Sequence, residues 1–203
     1  MNNIPINLEM YAKYGIDGSS ARVRLYDWLP FLESHVQVGV NSYMGTANNS
    51  ARTIVQNPKE FFNAETRLRQ VSKKSLDRVV ISRSASPFSN GEVERAIMRR
   101  ANHSAYDIDD AVMLPSRRLS KNVFSERRVF RAAASSSDVV IAGNDYLADI
   151  ASDYSDKVVV VPSCVDPSQY RIKEVGLQDG DMRVVWIGSP STEKYLVPLG
   201  SVF

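Results

Sequence analysis

Cysteine is nearly absent from this 203-residue chain: Cys164 stands alone, so no internal disulfide can form and no thiolate pair can hold a zinc ion. Histidine is scarce as well, with only His35 and His103, which leaves few groups able to move protons near neutral pH. No stretch reaches the ~18 apolar residues that a membrane span needs, and no basic residue precedes an apolar block between Met1 and Met10. Together these absences predict a cytoplasmic chain. The Walker loop, the paired-cysteine metal motifs and the Gly-x-Ser-x-Gly elbow are also missing, which removes the common signatures of P-loop, zinc and hydrolase chemistry. There is no internal repeat and no low-complexity tract.

What is present is an ordinary globular composition, 43% hydrophobic and 24% charged, in a length that predicts one complete domain and at most the opening of a second. The net charge of +2 hides an asymmetry: from Arg67 to Arg131 there are 15 Lys and Arg against seven Asp and Glu. Pairs such as Lys73/Lys74, Arg99/Arg100, Arg117/Arg118 and Arg127/Arg128 suit phosphates on anionic lipid, nucleic acid or a sugar-phosphate ligand, or else form solvated helix faces.

Hydrophobic periodicity supplies the architecture. Ile4, Ile6, Leu8 and Met10 alternate as in a strand, with Pro5 delaying its start, and Val23, Tyr26, Leu29 and Leu32 recur at helical spacing. Val36, Val38 and Val40 alternate again, Pro58 opens a helix through Val71, and Val79–Ile81 is a β-branched run suited to a strand buried on both faces. Ser89 and Glu92 have capping-box spacing ahead of a helix running to about Asn102. A helix over 123–134, a strand over 139–141, a helix over 146–151 and a strand over 158–161 follow. The tail reads as a strand over 184–187 and the start of a helix over 192–199. Strands alternating with helices predict an α/β fold, a mainly parallel Rossmann-like sheet with helices on both faces. The expected organisation is an N-terminal domain over 1–170, a linker over 171–182, and the truncated start of a second domain over 183–203.

In such sheets ligands bind beyond the carboxyl ends of the strands, so the loops there hold the candidate chemistry. The loop from Tyr14 to Arg22 offers Gly15 and Gly18 for close backbone approach, Ser19 and Ser20 as hydroxyls or helix caps, and Arg22 with Arg24 as charges for an anion. Asp107, Asp109 and Asp110 crowd three carboxylates together, which suits a Mg²⁺ or Mn²⁺ ion, a turn cap or contact with sugar hydroxyls. His103 precedes them as a proton shuttle or phosphate contact.

Five segments, in order, resemble the family-4 glycosyltransferases of the GT-B fold: Tyr14-Gly-Ile-Asp-Gly-Ser-Ser-Ala-Arg22, Tyr106-Asp-Ile-Asp-Asp-Ala111, Val140-Ile-Ala-Gly-Asn-Asp-Tyr-Leu-Ala148, Val160-Val-Pro-Ser-Cys-Val-Asp166 and Trp186-Ile-Gly-Ser-Pro-Ser-Thr192. The resemblance implies a retaining sugar transferase with two Rossmann-like domains facing a cleft, of which this chain looks like the acceptor-side one. It implies that Gly15 to Arg22 lie at the cleft, that Asp107, Asp109 and Asp110 border the sugar pocket, and that Gly188, Ser189 and Thr192 form the first donor-phosphate turn. The implied co-substrate is a nucleotide-sugar, with no metal and no other cofactor. The implied acceptor is a polysaccharide or lipid-linked glycan, with peripheral contact to anionic membrane and none to nucleic acid. The acidic pair that grips the donor in that family would fall beyond Phe203, so the chain is expected to be inactive alone. A non-catalytic binding module, or a metal-dependent GT-A enzyme using the Asp cluster, are the alternatives.

Overall fold

The computed structural model describes residues 6–43, 45, 55–114, 125–171, 185–188 and 193–200. The chain divides into two compact units, Met1–Val165 and Asp166–Phe203.

The first unit is built on six strands: β1 (Asn7–Ala12), β2 (Gln37–Ser42), β3 (Leu76–Ser82), β4 (Ala101–Ile108), β5 (Val139–Ala142) and β6 (Val158–Val160). All neighbours pair in parallel, in the order β2-β1-β3-β4-β5-β6. The α/β Rossmann-like fold expected from alternating patterns is therefore the fold observed. Because the chain first steps from β1 outward to β2 and then crosses back to β3, the direction of winding reverses between β1 and β3. That reversal opens a crevice at the carboxyl ends of these two strands.

Alternation along the strands divides the core into two layers. Tyr11, Val79, Ile81, Tyr106 and Val140 point to one face, where they meet Leu68 of α3 (Pro58–Val71), Ile97 of α4 (Glu92–Met98), Phe130 of α5 (Glu126–Ala134) and Leu147 of α6 (Asp145–Ser152). Met10 and Ala12 point to the other face and pack on Ala21 and Leu25, at α1 (Ser19–Arg24), and on Leu29 and Leu32 of α2 (Leu29–Leu32). Register follows from this burial, since a one-residue slip would turn each apolar set to the wrong face.

Several boundaries differ from the sequence reading, each for a local reason. The single helix expected over 23–32 is broken into α1, a 3₁₀ turn over Tyr26–Trp28 and α2. Pro30 has no N–H to donate back to Tyr26 and crowds its carbonyl, which stops one continuous helix from forming. The helix expected to reach Asn102 ends at Met98, because Ala101 is already paired with Leu76 as the first residue of β4. The β4 strand escaped notice because its first half, Ala-Asn-His-Ser, has weak strand propensity. No capping box forms at Ser89 and Glu92: the N-cap is Gly91, and the Ser89 hydroxyl donates instead to the buried Glu94.

In the second unit, the strand expected over 184–187 is absent from its described residues, 185–187. Residues 185–188 have no regular structure, and Val185 and Ile187 are 78% and 93% exposed. A short β-branched run becomes a strand only when neighbours pair its backbone and cover it, and among the described residues nothing pairs with this one. In place of one helix over 192–199 there are two 3₁₀ turns, Glu193–Tyr195 and Val197–Leu199. The linker expected over 171–182 lies outside the described residues, save Arg171.

Candidate functional site

The crevice at the β1/β3 reversal is lined by the loop after β1, the loop after β3 and the end of β4. Arg24, from the last turn of α1, reaches under the crevice to Asp107 near the end of β4. Its Nε donates to both carboxylate oxygens at 3.0 and 3.3 Å, and Nη2 forms a further bond to Oδ1. The hydroxyl of Ser82, which ends β3, donates to Asp107 Oδ2 at 2.9 Å, and Arg24 Nη1 donates to the Val161 carbonyl at 2.6 Å. Both side chains are buried. Burial pushes the Asp107 carboxyl upward, against the pull of Arg24 and Ser82. These five hydrogen bonds tie α1, β3, β4 and the end of β6 into one floor.

Above that floor stands Arg83. It is the only non-glycine residue with positive φ among the described residues, at 61°. The Ser84 N–H donates to the Ser82 carbonyl at 2.8 Å across it, which makes Arg83 the centre of a tight γ-type turn. The strained backbone is held on both sides: the Arg83 N–H donates to the Asp107 carbonyl at 2.9 Å, and the Tyr106 hydroxyl donates to the Arg83 carbonyl at 2.9 Å. Strain of this kind costs about 1–3 kcal/mol and persists where surrounding contacts over-determine it. Its effect here is to aim the guanidinium across the crevice. Nη1 lies 2.9 Å from Asp110 Oδ2 and donates to Ser20 Oγ at 3.4 Å, so Arg83 bridges the loop after β1 to the loop after β4.

Asp109 completes the cluster. Its Oδ1 is buried and accepts no hydrogen bond among the described residues, with Arg83 Nε at 4.0 Å. A Cβ on Gly143, in the turn from β5 to α6, would come within 3.3 Å of the Asp109 Cα. That glycine lets the turn close down on the backbone of Ile108 and Asp109.

The residues singled out from sequence fare differently. Ser20, Asp109 and Asp110 are brought together by Arg83, while Gly15, Gly18 and Ser19 lie in the loop after β1 and at the start of α1. Gly18 caps α1 itself, its N–H bonded to the Gly15 carbonyl at 2.9 Å, so neither Ser19 nor Ser20 is the N-cap. A Cβ on Gly18 would lie 2.7 Å from Tyr14 Cβ, which accounts for a glycine here. Arg22 is exposed, while Arg24, read as an anion contact, is spent on Asp107. Asp107, expected to border the sugar pocket, has both of its oxygens hydrogen-bonded within the fold, to Arg24 and Ser82. His103 is on the exposed first half of β4, four residues before Asp107, and so about 13 Å from the crevice at the rise of a strand. Gly188 belongs to the irregular 185–188 segment, and Ser189 and Thr192 lie outside the described residues. Asn144, in the β5–α6 turn, caps α6, its side chain accepting from the Leu147 N–H at 3.0 Å.

Two features were missed. Arg83 directly follows the Val79–Ile81 strand, and the rule that chemistry sits just past strand ends could have found it. A polar recess of about 350 Å³ at the end of β2, lined by Asn41, Tyr43, Glu60, Asn63 and Arg67, had no local signal. Its wall is held by Glu65, which accepts from the Tyr43 hydroxyl at 2.6 Å and from Ser86 at 3.0 Å.

Among the described residues, no group of three or more His, Cys, Asp or Glu side chains is placed to hold a metal ion. No helix among them is long and apolar enough to cross a membrane. No family model and no curated protein sequence matches this chain.

Proposed function

We propose that this chain is the acceptor-side half of a retaining glycosyltransferase that uses a nucleotide-sugar donor and a polysaccharide or lipid-linked glycan acceptor. The observation that carries the reading is the Arg83 bridge: a strained arginine joins the glycine-serine loop after β1 to Asp109 and Asp110 at the reversal point of a parallel sheet. Carboxylates beside a fixed guanidinium are the groups that bind a polyhydroxylated ligand, accepting from its hydroxyls and donating to its oxygens. Asp109 Oδ1 would accept an acceptor hydroxyl, and Arg83 together with the exposed Arg22 would face donor phosphate. Catalysis would then rest on positioning and on stabilising the leaving diphosphate, without a side-chain base.

The metal-dependent alternative is less well supported, since Asp107, its third carboxylate, is already neutralised by Arg24. The test is calorimetric titration of the folded chain with a panel of glycan acceptors and nucleoside diphosphates. Binding of at least one of them that weakens at least tenfold in Asp109→Asn and in Arg83→Ala is the expected result. A folded chain that binds none of them, or binds them equally in both variants, would overturn the proposal.

A further inference from the structure

Arg83 and Asp110 form an ion pair whose two halves are held very differently. The arginine half is fixed from below. Its N–H donates to the Asp107 carbonyl and its carbonyl accepts from the Tyr106 hydroxyl, both at 2.9 Å, and the φ of 61° sets the direction in which its side chain leaves the backbone. Tyr106 and Asp107 are themselves buried in β4. The aspartate half is loose. Asp110 lies past the end of β4, its side chain is 63% exposed, and its carboxylate has no partner among the described residues other than Arg83. The guanidinium is also under-used. Of the five N–H donors of an arginine, the two on Nη1 go to Asp110 Oδ2 at 2.9 Å and, weakly, to Ser20 Oγ at 3.4 Å. Nε stands 4.0 Å from Asp109 Oδ1, beyond hydrogen-bond reach, and Nη2 has no acceptor among the described residues. The Nε/Nη2 edge, the one that grips an anion with two parallel bonds, is therefore open.

We infer that Asp110 is a displaceable counter-ion: it occupies Arg83 until a phosphate takes its place, and so sets the selectivity of the crevice for phosphate over weaker anions. The inference rests on the reading of Arg83 as a contact for donor phosphate. An ion pair with so exposed a carboxylate strengthens the contact by no more than about fivefold, so a better anion displaces the aspartate while the guanidinium stays where its backbone holds it. A terminal phosphate is that better anion, since its three oxygens can take Nη1 and the open Nε/Nη2 edge together, whereas Asp110 reaches Nη1 alone. A free carboxylate offers nothing that Asp110 lacks, and it competes from solution against a group tethered within reach.

Calorimetric titration with uridine diphosphate and with inorganic pyrophosphate tests it, on the parent chain, Asp110→Asn and Asp145→Asn. Asp145 is exposed at the start of α6, past the neighbouring strand end, and forms no ion pair with Arg83, so its variant removes the same charge without freeing the guanidinium. Asp110→Asn is expected to bind both probes about three- to tenfold more tightly than the parent, because the competitor is gone. Asp145→Asn should stay within about twofold of the parent at physiological salt, where screening confines such effects to near neighbours. Acetate should displace pyrophosphate from Asp110→Asn at concentrations that leave the parent complex intact. The direction of the change is decisive, since losing a mere structural brace would weaken binding. Equal or weaker binding by Asp110→Asn overturns the inference, and so does equal tightening in Asp145→Asn, which would assign the effect to the overall field. If neither probe binds any of the three chains while a glycan binds in an Asp109-dependent way, this inference falls and the acceptor half of the proposed function stands. If no glycan and no nucleoside diphosphate binds, both fall.

Discussion

Arg24 and Asp107 are 83 residues apart in sequence and meet as a buried pair with good geometry. Buried pairs contribute little net stability over well-packed apolar residues, but breaking one leaves a charge without a partner. Arg24→Ala is therefore expected to destabilise the protein by about 3–5 kcal/mol in urea unfolding, and Arg24→Met/Asp107→Leu to recover part of that loss. Glu94 presents a second case. It is fully buried, accepts from the Ala85 N–H at 2.9 Å and from Ser89, and burial holds its carboxyl above the ordinary value of 4.5. A raised folded value means that the native state binds the proton more tightly than the unfolded one. The resulting stabilisation is fully present below pH 4.5 and is lost as pH rises through the raised folded value. Asp107 is shifted in the same direction, so the slope is assigned by difference: Glu94→Gln should flatten the stability–pH curve across that window relative to the parent. Arg83 carries opposite demands. Glycine at this position would relieve the positive φ at the loss of an exposed-side ion pair, so Arg83→Gly is expected to stay within about 1 kcal/mol of the parent in stability while losing the site's ligand contact. A parallel loss of both stability and activity would mean that Arg83 is only a structural brace.

At the scale of elements, the tightest junction is where α4 starts against α5. Gly91 has a φ of 102°, and a Cβ there would lie 2.4 Å from Ala132 Cβ and 2.9 Å from the Arg128 carbonyl oxygen. Because the clash is with the body of a helix, relaxation requires the two helices to separate. Gly91→Ala should cost about 2–4 kcal/mol from overpacking and backbone strain together, measured by denaturant midpoint. The broken helix after β1 shows the same kind of economy. With Pro30 in place, the chain turns early, leaving α1 short enough for Arg24 to sit in its last turn, close to the sheet. The exposed Trp28 and Phe31, whose rings are 6.1 Å apart, lie on the far side of that break.

For the whole molecule, every buried core residue among the described ones lies between Met10 and Ala151, within the first unit. A chain of residues 1–165 keeps all six strands and the Val161 carbonyl that Arg24 holds. It is expected to unfold cooperatively, with a stability within about 0.5 kcal/mol of the whole chain, the range for changes away from the core. A drop of several kcal/mol in urea unfolding would show that residues 166–203 contribute to the core's stability.

Periodicity alone determined the class of fold. Runs such as Val79–Ile81 and Val139–Ile141, and helices such as Pro58–Val71, have patterns that only burial against a sheet satisfies, and they appear where the sequence placed them. The glycine-serine loop was legible for the same reason, since in a parallel sheet it must lie just past a strand end, whereas Asp109 and Asp110 were legible only as a run of carboxylates. The β4 strand was not, because Ala-Asn-His-Ser carries little local preference and becomes a strand only by pairing with β3. Nor could sequence show that Asp107 belongs to Arg24 rather than to a ligand, or that Arg83 is bent into the crevice. Those outcomes depend on which side chains meet after tens of residues of intervening chain have folded. The converse holds at 185–187, where a strong local preference for strand finds no pairing partner among the described residues, and only the tertiary structure decides whether a backbone hydrogen bond has somewhere to go.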